Sequence, residues 1–472
     1  MRKKFYLGGQ WQDGKAYTQL YAPYSGDVIA ELPLANGEVV ERAILAAQEA
    51  AQVMRKMPAY QRASILEKIA LIFNERLEEA ARIIALEAGK PIKTARGEVI
   101  RTIQTYKFAA EEAKRIHGET IPLDAALGGE GRIAYTVREP LGVIGAITPF
   151  NFPMNLVAHK VGPAIASGNA IVLKPASQTP LSALFLAEVA EQAGLPAGAL
   201  NVITGSGSTI GDKLVADPRI KAITFTGSPA VGIGIRNRAG LKRVTLELGS
   251  NSAVIVDRDV KLEEVVARCI FGAFAYSGQV CISVQRIYVQ QENYAAFLEA
   301  FVSETRKLRG GDPLSEESDF SAMITSKETE RALSWIEEAK AMGAHVECGG
   351  EVVDRVLQPT VLTGVPAEAK VSCQEVFGPV VLINPVESIE QAIGLVNDSR
   401  YGLQAGIYTN NLSFALQAAD ELHVGGVMIN DIPTFRVDHM PYGGVKESGM
   451  GREGIKYAIE EMTELKLVVL KR

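Results

Sequence analysis

The spacing of apolar residues changes along the chain and divides it into three kinds of segment. Residues 1–35 hold short apolar groups between glycine-containing turns, which predicts strands and hairpins. From residue 37 to about residue 117, apolar residues recur at intervals of three and four, as at Ile65, Ile69 and Ile72, which predicts helices. From residue 141 onward, apolar runs of strand length alternate with helical stretches.

The alternating part forms two successive series. The first predicts strands at 143–147, 170–173, 200–203, 222–225 and 244–248, with helices at 154–166, 181–193 and 210–216 and another short helix before the last strand. The second predicts strands at 253–256, 287–289, 380–383, 405–408 and 427–429, with helices at 262–275, 294–308, 389–396 and 412–422. Strands that alternate with helices favour parallel sheets with right-handed crossovers. We therefore expect two α/β domains joined near residues 249–252, with ligands at the carboxyl ends of the strands and a cleft between the domains.

Two further segments predict a small β element. The chain end at 465–470 is a β-prone apolar run, and residues 118–138 look like a polar hairpin. Together they can form an exposed edge that pairs with another subunit. The alternative is that the end strand joins the chain's own sheet.

Composition excludes several classes of function. The net charge of −6 suggests neither nucleic acid nor an anionic membrane surface as a partner. No apolar run approaches the roughly 18–20 residues that a membrane span needs, and no export signal is recognisable. The four cysteines lack disulfide or metal spacing and the five histidines form no zinc motif, so we expect no metal and a cytoplasmic protein.

Cys281 is the first candidate for chemistry, because it stands between a predicted helix and a predicted strand. Its neighbours on the N-terminal side, from Tyr276 to Gln279, include small and polar residues, which favours an accessible thiol that can ionise and act as a nucleophile. Most free cysteines are instead small core residues. The segment alone leaves both interpretations open.

Two further candidates follow predicted strands of the first series. Asn151, in Thr148-Pro149-Phe150-Asn151, lies on a turn stiffened by proline, and its amide can donate to an oxyanion or simply to its own turn. Glu247 ends the last strand, where it can serve as a general base or stand exposed on an ordinary strand.

A nucleotide site is suggested more weakly. Lys174 follows a strand and can bind ribose or phosphate, or can be a surface charge. The turn from Gly205 to Gly211 has GxGxxxG spacing rather than the GxGxxG of a standard dinucleotide site. Gly227 and Ser228 open a helix whose N-terminus suits a pyrophosphate. Glu375 and Phe377 stand two apart on an extended segment and can face the same way.

In this order, the segments resemble the NAD(P)-dependent aldehyde dehydrogenase superfamily over nearly the whole chain, from Tyr6 to Gly449. The resemblance implies a Rossmann-like cofactor domain (1–117 and 140–249), an α/β catalytic domain (250–450) and a small β oligomerisation element (118–139 and 451–472). It also implies a homodimer or homotetramer. The similar branch includes lactaldehyde, succinic semialdehyde and nonphosphorylating glyceraldehyde phosphate dehydrogenases.

The resemblance also implies roles for particular residues. Cys281 would attack an aldehyde, Asn151 and the Cys281 amide would hold the oxyanion, and Glu247 would activate the water that hydrolyses the thioester. The cofactor contacts it implies are Thr148, Pro149, Phe150, Lys174, Ser177, Gly207, Phe225, Gly227, Ser228, Val231, Leu248, Gly249, Glu375 and Phe377.

Cofactor and substrate preferences follow from departures within this resemblance. Ser177 stands where NAD-preferring relatives often have a glutamate, so we expect NADP to be accepted, together with NAD. Arg436 can bind an anionic group of a small oxygenated aldehyde, or can pair with Asp438 or Asp431 or face another subunit. Val280 stands where nonphosphorylating glyceraldehyde phosphate enzymes have an arginine, which counts against that substrate.

Three other functions compete with this hypothesis. A CoA-acylating relative would usually lack the general base, so Glu247 favours hydrolysis. A non-redox thiol esterase could use the same cysteine and oxyanion site. A non-catalytic protein could keep the fold, although the set Asn151, Glu247 and Cys281 argues against it.

Overall fold

A computed structural model describes all 472 residues. The N-terminal part begins with two hairpins, β1 (Phe5–Leu7) with β2 (Gln10–Gln12) and β3 (Tyr17–Tyr21) with β4 (Val28–Pro33). Four helices follow: α1 (Gly37–Lys56), α2 (Ala59–Glu75), α3 (Leu77–Ala88) and α4 (Ile92–Ala113). The predicted strands and helical segment are thus present.

Local sequence sets the boundaries of these helices. Asn36 caps α1 by accepting from the backbone N–H groups of Glu38 and Val39, each at 3.1 Å. Gly89 ends α3 in the left-handed conformation (φ 64°), and Pro91 comes directly before α4. The turn between α3 and α4 therefore holds Lys90 in a fixed place.

The first alternating series forms an eight-stranded sheet with helices on both faces. Two strands, β5 (Thr120–Ile121) and β6 (Arg132–Pro140), come before it in the chain and belong to another sheet. The series itself consists of β7 (Val143–Ile147), α5 (Asn155–Ala166), β8 (Ala170–Lys174), α6 (Leu181–Gln192), β9 (Leu200–Val202), α7 (Asp212–Ala216), β10 (Ile220–Thr226), α8 (Pro229–Arg238) and β11 (Arg243–Glu247). A turn of π-helix, Gly207–Gly211, precedes α7.

Strand order places a ligand crevice in this sheet. The five central strands run parallel in the order β9-β8-β7-β10-β11, flanked by antiparallel β1 and β2 at one edge. The order reverses between β7 and β10, and ligands bind outside the carboxyl ends of strands at such a point. The largest hydrophobic core packs around this sheet and helices α1–α6.

The second series forms a seven-stranded sheet. Its elements are β12 (Ala253–Val256), α9 (Leu262–Phe274), β13 (Arg286–Gln290), α10 (Gln291–Thr305), α11 (Ser326–Ala341), β14 (His345–Cys348), the hairpin β15 (Val352–Val353) and β16 (Val356–Leu357), β17 (Thr360–Thr363), α12 (Lys370–Cys373), β18 (Val380–Val386), α13 (Ile389–Asn397), β19 (Tyr401–Gly402), β20 (Gln404–Tyr408), α14 (Leu412–Glu421) and β21 (Gly426–Ile429). The order is β14-β17-β18-β13-β12-β20-β21, with only β14 antiparallel.

The chain end returns to the first half of the molecule. Its elements are β22 (Val445–Lys446), β23 (Gly449–Met450), α15 (Ile455–Glu461) and β24 (Thr463–Lys471). Strand β23 pairs with β11 beside Glu247, and β24 pairs with β6 in a three-stranded antiparallel sheet that also contains β5. No helix is both long enough and apolar enough to cross a membrane.

The predicted fold class, two α/β units with a small β element, is confirmed. Both large sheets are parallel at their centres and carry antiparallel strands at their edges. Every predicted strand of both series is present, although helix α10 begins three residues before its predicted start. The sequence patterns missed α11, β14 and β17. The domain boundaries drawn from the sequence stay predictions.

Candidate active site

Cys281 lies in a turn between α9 and β13, preceded by an unusual backbone. Tyr276, Ser277 and Gly278 all have positive φ angles (51°, 53° and 69°). Positive φ is unfavourable for non-glycine residues, so contacts with the surrounding protein must stabilise this backbone conformation. The Tyr276 hydroxyl donates to the carbonyl of Ala88 at 2.7 Å, and the Ser277 hydroxyl donates to Ser321 at 2.7 Å. The loop therefore presents Cys281 in one orientation.

The thiol itself is half-buried rather than openly solvated. Burial raises the pKa of Cys281 to about 11, although a hydrogen bond from Tyr442 and the charge of Arg436 act to lower it. The polar neighbours that suggested an accessible thiol are buried and bonded to protein, as Ser277 and Gln279 show. The expectation of a solvated polar setting was wrong for these neighbours, because the loop packs against the segment at Ser321–Ile324.

Asn151 is brought directly to the cysteine loop. Its side-chain N–H group donates to the carbonyl of Gln279 at 3.0 Å, two residues before Cys281. An amide carries two N–H donors, and this contact uses one. The backbone N–H of Cys281 has no acceptor in the protein. One N–H group of Asn151 and the backbone N–H of Cys281 are therefore both left without an acceptor, as donors to an oxyanion would be.

A buried ion pair contacts both the Asn151 turn and the Cys281 loop. Lys90 and Glu98 are fully buried and pair at 2.5 Å, and Lys90 also donates to the backbone carbonyl of Asn151 at 2.6 Å. The Lys90 ammonium lies 3.7 Å from the ring centre of Phe152 and 4.5 Å from that of Tyr276. Lys90 thus contacts the Asn151 turn and the Cys281 loop at once.

Glu98 completes this support. Its second carboxylate oxygen accepts from the backbone N–H groups of Met154 and Asn155, at 2.9 and 3.1 Å, at the start of α5. A carboxylate is favoured at a helix N-terminus, where N–H groups lack partners. The pair therefore ties α4 to the beginning of α5.

Glu247 stands at the end of β11, as predicted. Its side chain is buried rather than exposed, and neither carboxylate oxygen has a hydrogen bond. Burial and the nearby charge of Glu453 raise the pKa of Glu247 well above its ordinary value. Burial opposes the ionisation of Glu453, yet Lys160 at 2.9 Å and Arg436 at 2.9 Å hold its pKa well below the usual range. Of the two carboxyls, Glu247 therefore has the higher pKa.

Arg436 pairs with neither of the aspartates named as alternatives. Its guanidinium donates to Glu453, and its Nε has no partner in the protein. Asp438 instead binds Arg101 at 2.7 Å and His159 at 2.8 Å, while Asp431 pairs with Arg268.

A cavity of about 450 Å³ lies beside the cysteine. Cys281, Tyr442, Arg101 and Arg436 all line it, and Phe152 forms part of its apolar wall. A mostly apolar cavity with a few polar groups is typical of a small-molecule site. The nucleophile candidate thus shares its cavity with two arginines.

The predicted cofactor residues gather at the carboxyl edge of the first sheet. Lys174 ends β8, Thr148 follows β7 and its buried hydroxyl has no partner. Burial lowers the pKa of Lys174 to about 8. Ser228 begins α8 without using its hydroxyl as a cap, which leaves the helix N-terminus open to an anion. The others at this edge are Pro149, Phe150, Ser177, Gly207, Phe225, Gly227, Leu248 and Gly249, and Val231 lies exposed on α8.

Glu375 reaches this edge from the second half of the chain. Its carboxylate accepts from the backbone N–H of Ser250 at 2.8 Å, and burial raises its pKa to about 7. Any side chain at Gly249 would collide with it. The ring of Phe377 lies 5.7 Å from that of Phe150, edge to face. A buried hydroxyl without a partner, an open helix N-terminus and a half-buried carboxylate are groups to which a dinucleotide can bind.

Comparisons with known proteins agree with this arrangement. The model of the aldehyde dehydrogenase family matches residues 11–468, and the chain belongs to that family. It is an NAD(P)-dependent aldehyde dehydrogenase, an oxidoreductase, as the resemblance implied. The predicted fold is confirmed on the same ground.

Three relatives show how far the similarity extends. A 3-sulfolactaldehyde dehydrogenase of Priestia megaterium is 49% identical over 98% of this chain and 97% of its own. The structure of aldehyde dehydrogenase 21 from Physcomitrella patens in complex with succinate is 42% identical, covers 100% of this chain and 98% of its own, and has a TM-score of 0.97. That of glyceraldehyde-3-phosphate dehydrogenase GapN from Methanocaldococcus jannaschii, complexed with NADP, is 41% identical over 97% and 100%, with a TM-score of 0.93.

Sequence reasoning missed several residues of the site. Tyr442 stands in Pro441-Tyr442-Gly443-Gly444, whose glycines signal close backbone approach, but no role was assigned to its hydroxyl. Arg101 and Glu98 lie on the predicted helical segment, where charges ordinarily face water. For Glu98 and Arg101, the only signal in the sequence is that two charges stand three residues apart on one helical segment.

Proposed function

We propose that the chain oxidises a small, oxygenated aldehyde carrying an anionic group to the corresponding carboxylic acid, with NADP or NAD as oxidant. The observation that carries the proposal is the cavity in which Arg101 and Arg436 accompany Cys281. Arg436 has 5% of its side chain exposed and keeps an unpartnered Nε, and Arg101 is 31% exposed. Charged N–H donors in a fixed fork suit carboxylate, sulfonate and phosphate groups.

The first half of the proposed reaction belongs to Cys281. Its thiolate attacks the aldehyde carbon, and the carbonyl oxygen gains negative charge. The N–H groups of Asn151 and Cys281 stabilise that charge, and one such donor typically contributes about 3–4 kcal/mol to lowering the barrier. A bound nicotinamide, held by the residues named below, would supply the hydride acceptor that converts this adduct to a thioester on Cys281.

The second half belongs to Glu247. Its ionised carboxylate removes a proton from water, the water oxygen attacks the thioester carbon, and the acid leaves as the Cys281 sulfur is released. Gly443 abuts this carboxylate, since a Cβ there would lie 2.9 Å from Glu247 Oε1. The segment at Tyr442–Gly443 therefore borders both the nucleophile and the base.

For the cofactor, we propose Lys174 and Ser177 at the adenosine ribose, Gly227 and Ser228 at the pyrophosphate, and Glu375 with Phe377 at the nicotinamide end. Ser177 now donates to the carbonyl of Gly205 at 3.2 Å, a neutral contact that it can exchange for a phosphate. Because position 177 is a serine and not a glutamate, no negative charge there repels a 2′-phosphate. This supports the use of NADP beside NAD.

Substituting Ser177 with glutamate is expected to lower kcat/KM for NADP at least about tenfold, because like charges brought together cost several kcal/mol. The value for NAD should be unchanged or higher. Initial rates with both cofactors measure this. The control Gln178→Glu adds the same charge one residue further on and should change either value by no more than about twofold. An unchanged kcat/KM for NADP would refute this assignment of Ser177.

Substituting Arg101 with methionine is expected to lower kcat/KM for an anionic aldehyde by about ten- to a hundredfold, the value of a charge-assisted hydrogen bond. Removing Arg101 also takes a cation from buried Asp438, and any effect on folding should appear equally with neutral propanal, which has no group for Arg101. The additional loss with the anionic aldehyde measures the substrate contact. The matched control is Arg96→Met, which removes an arginine of similar exposure (32%) on the same helix, bound only to Glu78 and Glu316. Equal losses with anionic and neutral aldehydes would contradict the substrate role.

The assay that tests the whole proposal is reduction of either cofactor with a panel of aldehydes. 3-Sulfolactaldehyde, lactaldehyde, succinic semialdehyde, glyceraldehyde 3-phosphate and propanal cover anionic and neutral members. The proposal requires NADP reduction that is faster with the anionic aldehydes. Ester cleavage without any cofactor reduction would favour the thiol esterase instead.

Self-association is proposed from the small sheet. Strand β24 leaves one edge unpaired, and Leu465, Leu467 and Leu470 on it are more than half exposed. An open apolar edge is a pairing site for another strand. We propose that a second copy covers it, giving a homodimer or homotetramer.

All four cysteines are free, which supports a reducing cytoplasm.

A further inference from the structure

The cysteine thiol has a hydrogen-bond partner to which the proposed mechanism assigns no role. The Tyr442 hydroxyl lies 2.9 Å from Cys281 Sγ, and Tyr442 is 2% exposed. Arg436 lies over the Tyr442 ring, with its guanidinium carbon 3.7 Å from the ring centre. Glu453 fixes Arg436 in that position at 2.9 Å. The four residues form one continuous buried chain of contacts that ends at the sulfur.

We propose that Tyr442 is a catalytic residue that donates a hydrogen bond to the Cys281 thiolate, and that Arg436 strengthens this donor by lying over the ring. This inference rests on the proposed role of Cys281 as the nucleophile. It gives Tyr442, which lines the cavity, a direct role in stabilising the thiolate.

The direction of the hydrogen bond decides its effect. Between a neutral thiol and a hydroxyl, either group can donate. A thiolate can only accept, so ionised Cys281 makes Tyr442 the donor. Hydrogen bonds to an ionised acceptor are roughly twice as strong as neutral ones. The contact therefore favours the thiolate, which is the reactive form.

The phenol keeps its own proton throughout. Burial raises the pKa of Tyr442 well above its ordinary value, so the phenol does not give up its proton when Cys281 ionises. A cation over the ring draws electron density from the hydroxyl and makes it a better donor. Tyr442 and Arg436 thereby oppose the burial that disfavours the thiolate.

Other ionisable groups act on the same sulfur and must be held constant. The charges of Glu247 and Glu375 raise the pKa of Cys281, and that of Arg436 lowers it. Further charges on the cavity wall or behind it are Arg101, Glu98, Lys93, Glu453 and Lys160. Removing only one oxygen atom, in Tyr442→Phe, leaves every one of them in place.

The test is the pH dependence of alkylation of the full-length protein by iodoacetamide, without aldehyde or cofactor. Peptide mass spectrometry follows Cys281, with Cys348 and Cys373 as internal references. In Tyr442→Phe, the apparent pKa of Cys281 should rise by about one unit, so that alkylation near neutral pH slows about tenfold. An unchanged or lowered pKa overturns the proposal.

A matched variant separates the bond to sulfur from loop distortion. Tyr276→Phe removes another buried hydroxyl from the cysteine loop, one that donates to Ala88 and not to sulfur. The proposal requires that Tyr276→Phe leave the pKa of Cys281 unchanged, and equal shifts in both variants overturn it. Alkylation of Cys281 is measured without turnover, so it tests the hydrogen bond from Tyr442 separately from the proposed function. A native protein that reduces no cofactor with any aldehyde would refute the proposed function but would leave the alkylation result unchanged.

Discussion

Replacing Glu247 with glutamine is expected to leave one rapid turnover per subunit and to slow every later one at least about a hundredfold, the usual contribution of a general base. Attack by Cys281 and formation of the thioester do not use Glu247. Glutamine is nearly the same shape, but it cannot accept a proton from water. Rapid-mixing absorbance of the reduced nicotinamide should show a burst of one equivalent per subunit and then almost no further rise.

The pH dependence of the native protein should reveal the same group. Burial and the charge of Glu453 raise the pKa of Glu247, so the carboxyl holds its proton to higher pH than an ordinary glutamate. The proton-accepting form accumulates as pH rises, and steady-state turnover should rise with it. In Glu247→Gln, ionisation of residue 247 should make no contribution to the pH dependence of the burst rate.

The control for this variant is Glu87→Gln. Glu87 is also a fully buried carboxylate, which accepts from the backbone N–H groups at Leu181 and Ser182 and not from any group near Cys281. It should keep both the burst and the later turnovers. Full turnover in Glu247→Gln would refute the assigned base. A native protein whose turnover requires CoA would instead favour an acylating enzyme.

Replacing Lys90 with methionine is expected to lower the free energy of unfolding by about 3–5 kcal/mol, because Glu98 would be left buried without its counter-charge. The carbonyl of Asn151 would also lose its donor. We therefore expect kcat to fall in the folded variant while the affinity for NADP changes little. Denaturant unfolding, steady-state kinetics and a binding titration measure these quantities separately.

Arg62→Met is the matched comparison for Lys90. Arg62 donates to the carbonyl of Ala166 at 2.9 Å, at the opposite end of α5, and burial lowers its pKa. Its loss should destabilise the fold without changing kcat. If Lys90→Met and Arg62→Met lowered kcat equally, the support of the Asn151 turn by Lys90 would be contradicted.

The sequence predicted those parts of the site that lie at strand ends. Lys174 and Glu247 were placed correctly because a short apolar run shows where a parallel strand stops, and all such ends meet at one edge. Helix α11 was missed because most of its residues are polar and only Ala332, Ile336 and Ala339 are buried. With so few apolar residues, the pattern could not be told from a loop.

Contacts between distant parts of the chain could not be predicted. Tyr442 and Cys281 are 161 residues apart, and no spacing rule joins them. The charge of Glu98 resembles that of a solvated helix face, and Lys90 stands in a turn. Glu98 is buried because α4 packs against α5, and Lys90 is covered by Phe152 and Tyr276. The bonding of Ser277 and Gln279 to the Ser321–Ile324 segment has the same origin, and it made the cysteine loop less solvated than its composition suggested.

The central claim is that Cys281 carries the substrate as a thioester that Glu247 helps to hydrolyse. Peptide mass spectrometry of Glu247→Gln, quenched in acid after mixing with NADP and succinic semialdehyde, tests it most directly. The account predicts an acyl group on the peptide containing Cys281 in nearly every subunit, and none on Cys269, Cys348 or Cys373. Reduced cofactor in stoichiometric amount with no acyl group on Cys281 would contradict it.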